Sequence, residues 1–528
     1  MKLNILLLLT LFILSIKLQA KQRLFIFMGQ SNMAGRAHLE PQDSIQSDRI
    51  FILNDKGAFI KAQHPFNTFS NVRKDMKYQR LSMVYSFVQT ISEAYANDTI
   101  LMVVNARGGS ALAPWLKGSD LGYYEKSMLR IQQALKVAPK AEIDAIIWHQ
   151  GESNRNDYQN YLSELNQMVE DYRKDLGIAD LSFIAGNVGH WNDAYANIRK
   201  ELPKIPEYIE NAYFVSSKGL TNFDEHHFDR TSQLEFGKRY AKKYLSIAKD
   251  KNFSFSFLEK MLYDPIDNYV MVVAHRGDWR NAPENSRLSI QNCIDMGVDM
   301  VEIDVRLSKE GVPILMHDKT LDRTTNGKGK VNDFTLSELK KLKLKDKDGK
   351  ITAHTVPTLE EAMLLAKGKI LINLDKVDKI IPQIFPVLKK TNTVKQVTLG
   401  TYLPLDEMRE LAGVYLDSLC YMPKIKDNSK NITAFLNEFE AELDFSVVQV
   451  RFEKETAPTL EYLDDGEQYN SWIWVNTITA NRSANHHDDR ALTDPEGSYG
   501  WLIERKVNMM QTDRPALLLE YLKKQGLH

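Results

Sequence analysis

The sequence predicts an α/β protein of two domains, an open parallel sheet followed by a (β/α)8 barrel. Three observations carry this. Apolar strand runs alternate with helical patterns along nearly the whole chain, the signature of parallel sheets covered by helices. The alternation lapses once, over 249–268, into Lys, Asp, Asn, Ser and aromatic residues around Pro265. Eight strand runs follow Tyr269, the number that a barrel needs. A length of 528 residues suits two large domains, at roughly 100–200 residues for an ordinary one.

The elements follow in order. Lys2, an apolar run over 5–16 and the small residue Ala20 read as a cleavable signal peptide, residues 1–20, so the expected location is secreted or periplasmic. That run is short for a membrane anchor, no Cys follows it for lipid attachment, and no later stretch is apolar enough to span a bilayer. The first domain is placed at 21–250, with strands at 23–28, 100–105, 145–149 and 181–186 and helical patterns at 158–176 and 233–247. Residues 251–268 are read as a linker. The second domain is placed at 269–528, with strands at 270–274, 300–305, 312–316, 369–374, 396–400, 446–451, 472–476 and 507–511. The Lys/Asp-rich stretch 340–350 reads as a solvated loop. Charge is balanced, 68 Lys+Arg against 69 Asp+Glu, and no long basic run suggests a nucleic-acid partner. Cys293 and Cys420 allow one disulfide at most and no zinc cluster.

Ser31, in Gly29-Gln30-Ser31-Asn32-Met33, directly follows a buried strand, at the sheet edge where open α/β folds bind ligands. A helix N-terminus there offers N–H groups to an oxyanion. A serine hydroxyl needs a base. His227 is the candidate, with Asp224 three residues earlier to orient it, and His226 competes for the role. Arg107-Gly108-Gly109-Ser110 and His149-Gln150-Gly151-Glu152-Ser153 also follow strands, and can bring a backbone N–H and the Gln150 amide to the oxyanion. These segments resemble the SGNH hydrolases, within them carbohydrate esterase family six and the sialate O-acetylesterases, over residues 21–247. The resemblance implies a three-layer flavodoxin-like sheet, no cofactor, and removal of acetyl groups from acetylated carbohydrate. It makes Ser31 the nucleophile, His227 the base and Asp224 its orienter, with Glu152 as an alternative acid. Ser31 N–H, Gly109 N–H and Gln150 form the oxyanion hole.

In the second domain the first strand run ends in His275-Arg276-Gly277. Strand alternation puts Glu302 and Asp304 on one face, where two buried carboxylates repel and are costly unless a cation or an Arg joins them. Strand 312–316 is expected to deliver His317, and strand 369–374 to deliver Asp375 and Lys376. Oxygen ligands suit Ca²⁺ or Mg²⁺. Two histidines can share acid and base work, while Arg276 and Lys376 bind phosphate oxygens. His-Arg-Gly, Glu-Asn-Ser, Glu-Ile-Asp-Val, Val-Pro-Ile-Leu-Met-His-Asp, Leu-Asp-Arg-Thr-Thr-Asn-Gly and Gln-Thr-Asp-Arg-Pro resemble the glycerophosphodiester phosphodiesterase family. The resemblance implies a TIM barrel acting on glycerophosphodiesters, with a small insertion between His317 and Pro357. By it His275 and His317 are the catalytic pair, and Glu302, Asp304 and Asp375 hold a divalent metal. Asp375 departs from the family's usual Glu and loses one methylene of reach. Two further readings stay open: one domain acting as a glycan- or phosphate-binding module, and a phospholipase D-like or phosphoinositide-cleaving barrel.

Overall fold

The computed structural model describes residues 20–45, 47–248, 251, 253–427, 429, 431–443, 446–464 and 471–528. The expected signal peptide, except for Ala20, lies outside them. The chain divides into two units, Met1–Tyr244 and Leu245–His528.

The first unit is built on seven strands: β1 (Gln22–Gly29), β2 (Ile50–Leu53), β3 (Phe59–Lys61), β4 (Thr99–Ala106), β5 (Ala141–His149), β6 (Ser182–Gly186) and β7 (Ala212–Val215). Their order is β3-β2-β4-β1-β5-β6-β7, parallel except for the β2–β3 pair. Without that edge hairpin the order is the 2-1-3-4-5 of a flavodoxin-like sheet, as expected. Alternation along β1 makes three layers. Leu24, Ile26 and Met28 join a core with Ile131 of the helix Tyr123–Val137 and Leu165 of the helix Tyr161–Leu176. Phe25 and Phe27 face the other way, their rings 5.1 and 5.2 Å from Phe87 in the helix Val84–Ala94. Phe25 also meets Tyr244 of the helix Arg230–Ile247 at 4.9 Å. The strand order reverses between β4 and β5, flanking β1, so the ends of β1, β4 and β5 open on the crevice where such sheets bind ligands.

The second unit holds β8 (Met271–His275), β9 (Met300–Leu307), β10 (Pro313–Leu315), β11 (Lys343–Lys345), β12 (Ile351–Thr355), β13 (Leu371–Asp375), β14 (Val397–Thr401), β15 (Cys420–Lys426), β16 (Val447–Arg451), β17 (Trp472–Asn476) and β18 (Met509–Thr512). Eight of them, β8, β9 and β13 to β18, close a parallel barrel through the β18–β8 and β8–β9 pairs. Val301, Ile303 and Val305 face the helices and join a core with Leu359, Ala362 and Met363. Glu302 and Asp304, between them, therefore face the barrel lumen.

Four expectations need correction. Stretch 312–316 is not a barrel strand: β10 pairs antiparallel with β9. The missing strand is β15, whose Pro423, Lys424 and Lys426 mask its apolar pattern. The linker 251–268 contains the helix Phe255–Tyr263, whose Met261 carbonyl accepts from Trp472 Nε1 at 2.7 Å. Stretch 340–350 carries β11 and leads into β12, a small antiparallel pair in the expected insertion, which has its own core of Leu321, Val331, Leu339, Leu344 and Val356. Cys293 and Cys420 are both buried and free, so there is no disulfide between them. No helix among the described residues is long and apolar enough to cross a membrane.

Candidate active sites

At the end of β1 the backbone turns sharply through Gly29, φ +132°, where a Cβ would lie 2.1 Å from the His149 carbonyl oxygen. Glycine there lets β1 and β5 approach and presents Ser31 at the start of the helix Ser31–Ala34. Ser31, Gly109, Asp224, His226 and His227 line one cavity of about 930 Å³. His227 Nδ1 bonds Asp224 Oδ2 at 2.7 Å. Burial would raise the Asp224 carboxyl, yet the His227 ring and the backbone N–H of His226 hold it below its usual range. The neighbouring His226 is occupied elsewhere, its Nδ1 2.6 Å from the Tyr195 hydroxyl.

The alternative acid, Glu152, serves another group. It lies 3.4 Å from Nε2 of fully buried His149 and accepts from Asn32 Nδ2 at 2.7 Å. The Tyr240 hydroxyl donates to the Trp148 carbonyl, which leaves it to accept from His149 Nδ1. Burial opposes ionisation of Glu152, but His149 and Asn32 hold its carboxyl below the usual value. Asn32 also donates to the His226 carbonyl and accepts from Phe228 N–H and Gln233 Nε2. The residue after Ser31 thus ties the serine turn to the loop that carries His227.

Gln150 is where geometry and expectation part. Its amide N–H groups go to Asn154 Oδ1 at 2.8 Å, the Ser110 carbonyl at 3.2 Å and Gln30 Oε1 at 3.3 Å, and the side chain is fully buried. It braces the loop after β5 instead of facing the cavity. Among the described residues neither Ser31 N–H nor Gly109 N–H, the other two expected oxyanion donors, has a backbone acceptor. Sequence reasoning also missed the cations of this cavity. Arg36, Lys74, Lys77, Arg80 and Arg155 line it, and none pairs with a carboxylate among the described residues.

In the barrel, strand register assembles the site. His275 is level with Glu302, and Asp375 with Asp304. The antiparallel course of β10 then sets Met316 N–H on the Asp304 carbonyl at 3.0 Å and leaves His317 beside these acids. All five line a cavity of about 680 Å³ with Arg276 and Lys376. Arg276, Asn285 and Lys376 all have positive φ, of 56°, 54° and 64°. Such backbones cost about 1–3 kcal/mol each and gather at functional sites. Asn285, from the Glu-Asn-Ser segment, clasps Asp304 twice, through its backbone N–H and its Oδ2, each at 2.9 Å.

Glu302, Asp304 and Asp375 bring carboxylate oxygens within 4.8 Å of one another. Burial and then Asp304 push Glu302 up to about 8. Burial opposes ionisation of Asp375, yet Lys424, 3.1 Å away, and Lys376 hold its carboxyl well below the usual range. Asp304 pairs with Lys376. Three hard oxygen donors, one of them forced towards its neutral form by crowding, fit a divalent cation, and Asp375 reaches the cluster despite its shorter side chain.

The two histidines are oriented differently. His275 Nδ1 bonds Asp513 Oδ1 at 2.7 Å, which also accepts from Trp279 Nε1 at 2.7 Å. Burial lowers His275, but Asp513 and Glu302 outweigh it and raise the ring above its usual value. His317 Nδ1 bonds Asp318 at 2.6 Å, and there burial prevails and lowers the ring. Asp513 was missed as a site residue, although it directly follows β18 as His275 ends β8. Arg276 is shared: its NH1 lies 3.2 Å from Glu284, while its buried Nε has no hydrogen-bond partner and lies 3.6 Å from Asp304.

The first unit is thus a sheet domain with a Ser–His–Asp constellation, and the second a barrel with paired histidines above a carboxylate cluster. Residues 21–246 match the family described as carbohydrate esterase, sialic acid-specific acetylesterase, and residues 275–486 match the glycerophosphoryl diester phosphodiesterase family; the chain joins one domain of each. A glycerophosphodiester phosphodiesterase of Caldanaerobacter subterraneus subsp. tengcongensis is 37% identical over 140 residues, 25% of this chain and 58% of that protein. Glycerophosphodiester phosphodiesterase 1 of Mus musculus is 38% identical over 100 residues, 18% of this chain and 29% of that protein. The chain therefore spans under two thirds of either relative. Among solved structures, a glycerophosphoryl diester phosphodiesterase from Parabacteroides distasonis covers 52% of this chain and 92% of its own, at 26% identity and TM-score 0.43. An Arabidopsis thaliana protein covers 42% and 98%, at 24% identity and TM-score 0.39.

Proposed function

We propose that this chain is an exported hydrolase with two active sites, one releasing acetate from O-acetylated carbohydrate and one cleaving glycerophosphodiesters to an alcohol and glycerol phosphate. One observation, made twice, carries the reading. In each domain a histidine bonded through Nδ1 to an aspartate at 2.7 Å stands in a cavity with the groups it would act with: His227 with Ser31, His275 with the acidic cluster.

In the first site Asp224 keeps the proton on His227 Nδ1, so Nε2 is free to take the Ser31 hydroxyl proton. Ser31 Oγ attacks the acetyl carbonyl carbon while Ser31 N–H and Gly109 N–H receive the oxyanion. His227 passes its proton to the departing sugar oxygen. It then activates the water that frees acetate from Ser31. The unpaired cations on the cavity wall favour an acidic sugar as the acyl carrier.

In the second site Glu302, Asp304 and Asp375 would hold Ca²⁺ or Mg²⁺, which supplies positive charge to the phosphate oxygens. Arg276 and Lys376 add donors to the same oxygens. His275, held through Nδ1 by Asp513, would give a proton to the leaving alcohol oxygen, and His317, held through Nδ1 by Asp318, would take one from the water that attacks phosphorus.

Product analysis tests the reading. The full chain is expected to release acetate from 9-O-acetyl sialic acid and glycerol phosphate from glycerophosphocholine. Failure of Ser31→Ala to lose the first product, or of His275→Ala to lose the second, contradicts it.

A further inference from the structure

Beside the serine cavity lies a second cleft of about 610 Å³, and Arg155, Tyr195 and His226 line both. Its fixed feature is an indole. Trp191 Nε1 donates to the Glu225 carbonyl at 3.1 Å, and the ring stands edge-on to Phe228 at 4.8 Å and 90°. It also lies against Gly189, where a Cβ would come within 2.4 Å of ring atoms. The indole is thus set in place without a ligand, as a preorganised binding surface requires. Asn192 is anchored too, donating to the Glu225 carbonyl and accepting from Ala194 N–H.

Carboxylates outnumber Lys and Arg in the lining of this cleft, where Arg155 is set against Asp193 and Glu225, the reverse of the serine cavity. Asp193 and Glu225 line it, and their carboxylates have no hydrogen-bond or ion-pair partner among the described residues. Carboxylates accept hydrogen bonds from hydroxyl groups but repel an acidic sugar. An apolar ring face with a few fixed polar groups is the lining of a small-molecule site.

We propose that this cleft is a subsite for a neutral sugar unit, glycosidically linked to the acetylated acidic sugar held over Ser31. The proposal deepens the esterase reading and rests on it: the substrate of that site is an oligosaccharide, with the acidic unit on the Arg36 side and the neutral unit on Trp191. The shared wall, Tyr195 and His226 with their 2.6 Å bond, lies where the linkage would pass.

The test compares 9-O-acetyl sialic acid, free and linked to lactose, as substrates of the full chain. The lactose-linked ester is expected to have the higher kcat/KM by about tenfold, chiefly through KM, roughly 1.4 kcal/mol of extra binding. Trp191→Ala is expected to bring that ratio close to one. Asp193→Asn, at an exposed side chain, is expected to reduce it in part, and reports on the cleft should the Trp191 variant fold poorly. A ratio near one in the parent chain, or one unchanged by both variants, overturns the proposal. Calorimetry with the deacetylated sialyllactose and free sialic acid separates the two readings. A chain inert on every ester that still binds the linked glycan tighter, with the preference lost in Trp191→Ala, keeps the subsite and rejects the esterase reading. Equal binding of the two rejects the subsite.

Discussion

A histidine becomes a directed base only when a neighbour fixes which nitrogen carries the proton, and in the two candidate sites His227, His275 and His317 each have an aspartate on Nδ1. For His227 that neighbour is Asp224, so Asp224→Asn is expected to lower kcat for acetyl-ester cleavage by on the order of 10³–10⁴-fold with the fold intact. A loss below about tenfold, measured by acetate release, would return the role to another acid. Asp375 raises the opposite question, whether a short ligand suffices. Because the three carboxylates already converge, Asp375→Glu is expected to bind Ca²⁺ or Mg²⁺ no more tightly than the parent. A competitive titration showing a gain of about tenfold or more would show that Asp375 is too short. A third residue sets a pH dependence. His64 packs against Phe66 with the rings tilted and their centroids 4.1 Å apart, its ring nitrogens are buried without a hydrogen-bond partner, and burial, opposed by Asp43, lowers it to about 4. The unfolded chain binds this proton near pH 6.5 and the folded chain only near 4. Stability is therefore full above 6.5 and falls as pH drops through that window, by about 3 kcal/mol. His64→Phe is expected to flatten this part of the first unit's urea-midpoint profile against pH; equal slopes would contradict it.

Among the elements, those with plain apolar runs were legible and those with mixed faces were not. Strands β1, β4, β5 and β6 stood out because a central parallel strand is buried on both faces. The edge strands β3 and β7 are short and half-exposed, and β2, beside β3, is only four residues long; all three were missed. Strand β15 was missed for a functional reason. Lys424 faces the lumen to pair with Asp375, so the position that should be apolar carries a charge. The run before His317 looked like a barrel strand because its residues are apolar, and only pairing direction distinguishes the two. The site motifs were legible because they sit at strand ends. The bracing around them was not, since Gln150 and Glu152 read as active groups until their partners are seen. Gly29 joins β1 to β5, and Gly29→Ala would drive a methyl group into the His149 carbonyl. The substitution is expected to destabilise the first unit by more than about 1–3 kcal/mol, the usual cost of overpacking, and to abolish esterase activity. Phosphodiesterase activity is expected to persist. Retention of full esterase activity by Gly29→Ala would mean that the turn can relax without moving Ser31.

For the molecule as a whole the proposed function puts two chemistries in two units, one needing a metal and one needing none. In the proposed serine site Ser31, His227 and Asp224, which line one cavity, would do the work, with backbone donors for the oxyanion. The barrel site gathers Glu302, Asp304 and Asp375, whose mutual repulsion Lys376 and Lys424 offset in part and a divalent cation would offset further. Export, expected from residues 1–20, would place both outside the reducing cytoplasm, which buried and unpaired Cys293 and Cys420 neither require nor resist. The most direct test crosses two perturbations on the full chain. Acetate release and glycerol phosphate release are each measured for the parent and for Ser31→Ala, with and without EDTA. EDTA is expected to abolish only glycerol phosphate release, restored by Ca²⁺ or Mg²⁺, and Ser31→Ala to abolish only acetate release. Loss of both products under either perturbation, on a chain that remains folded, would contradict it.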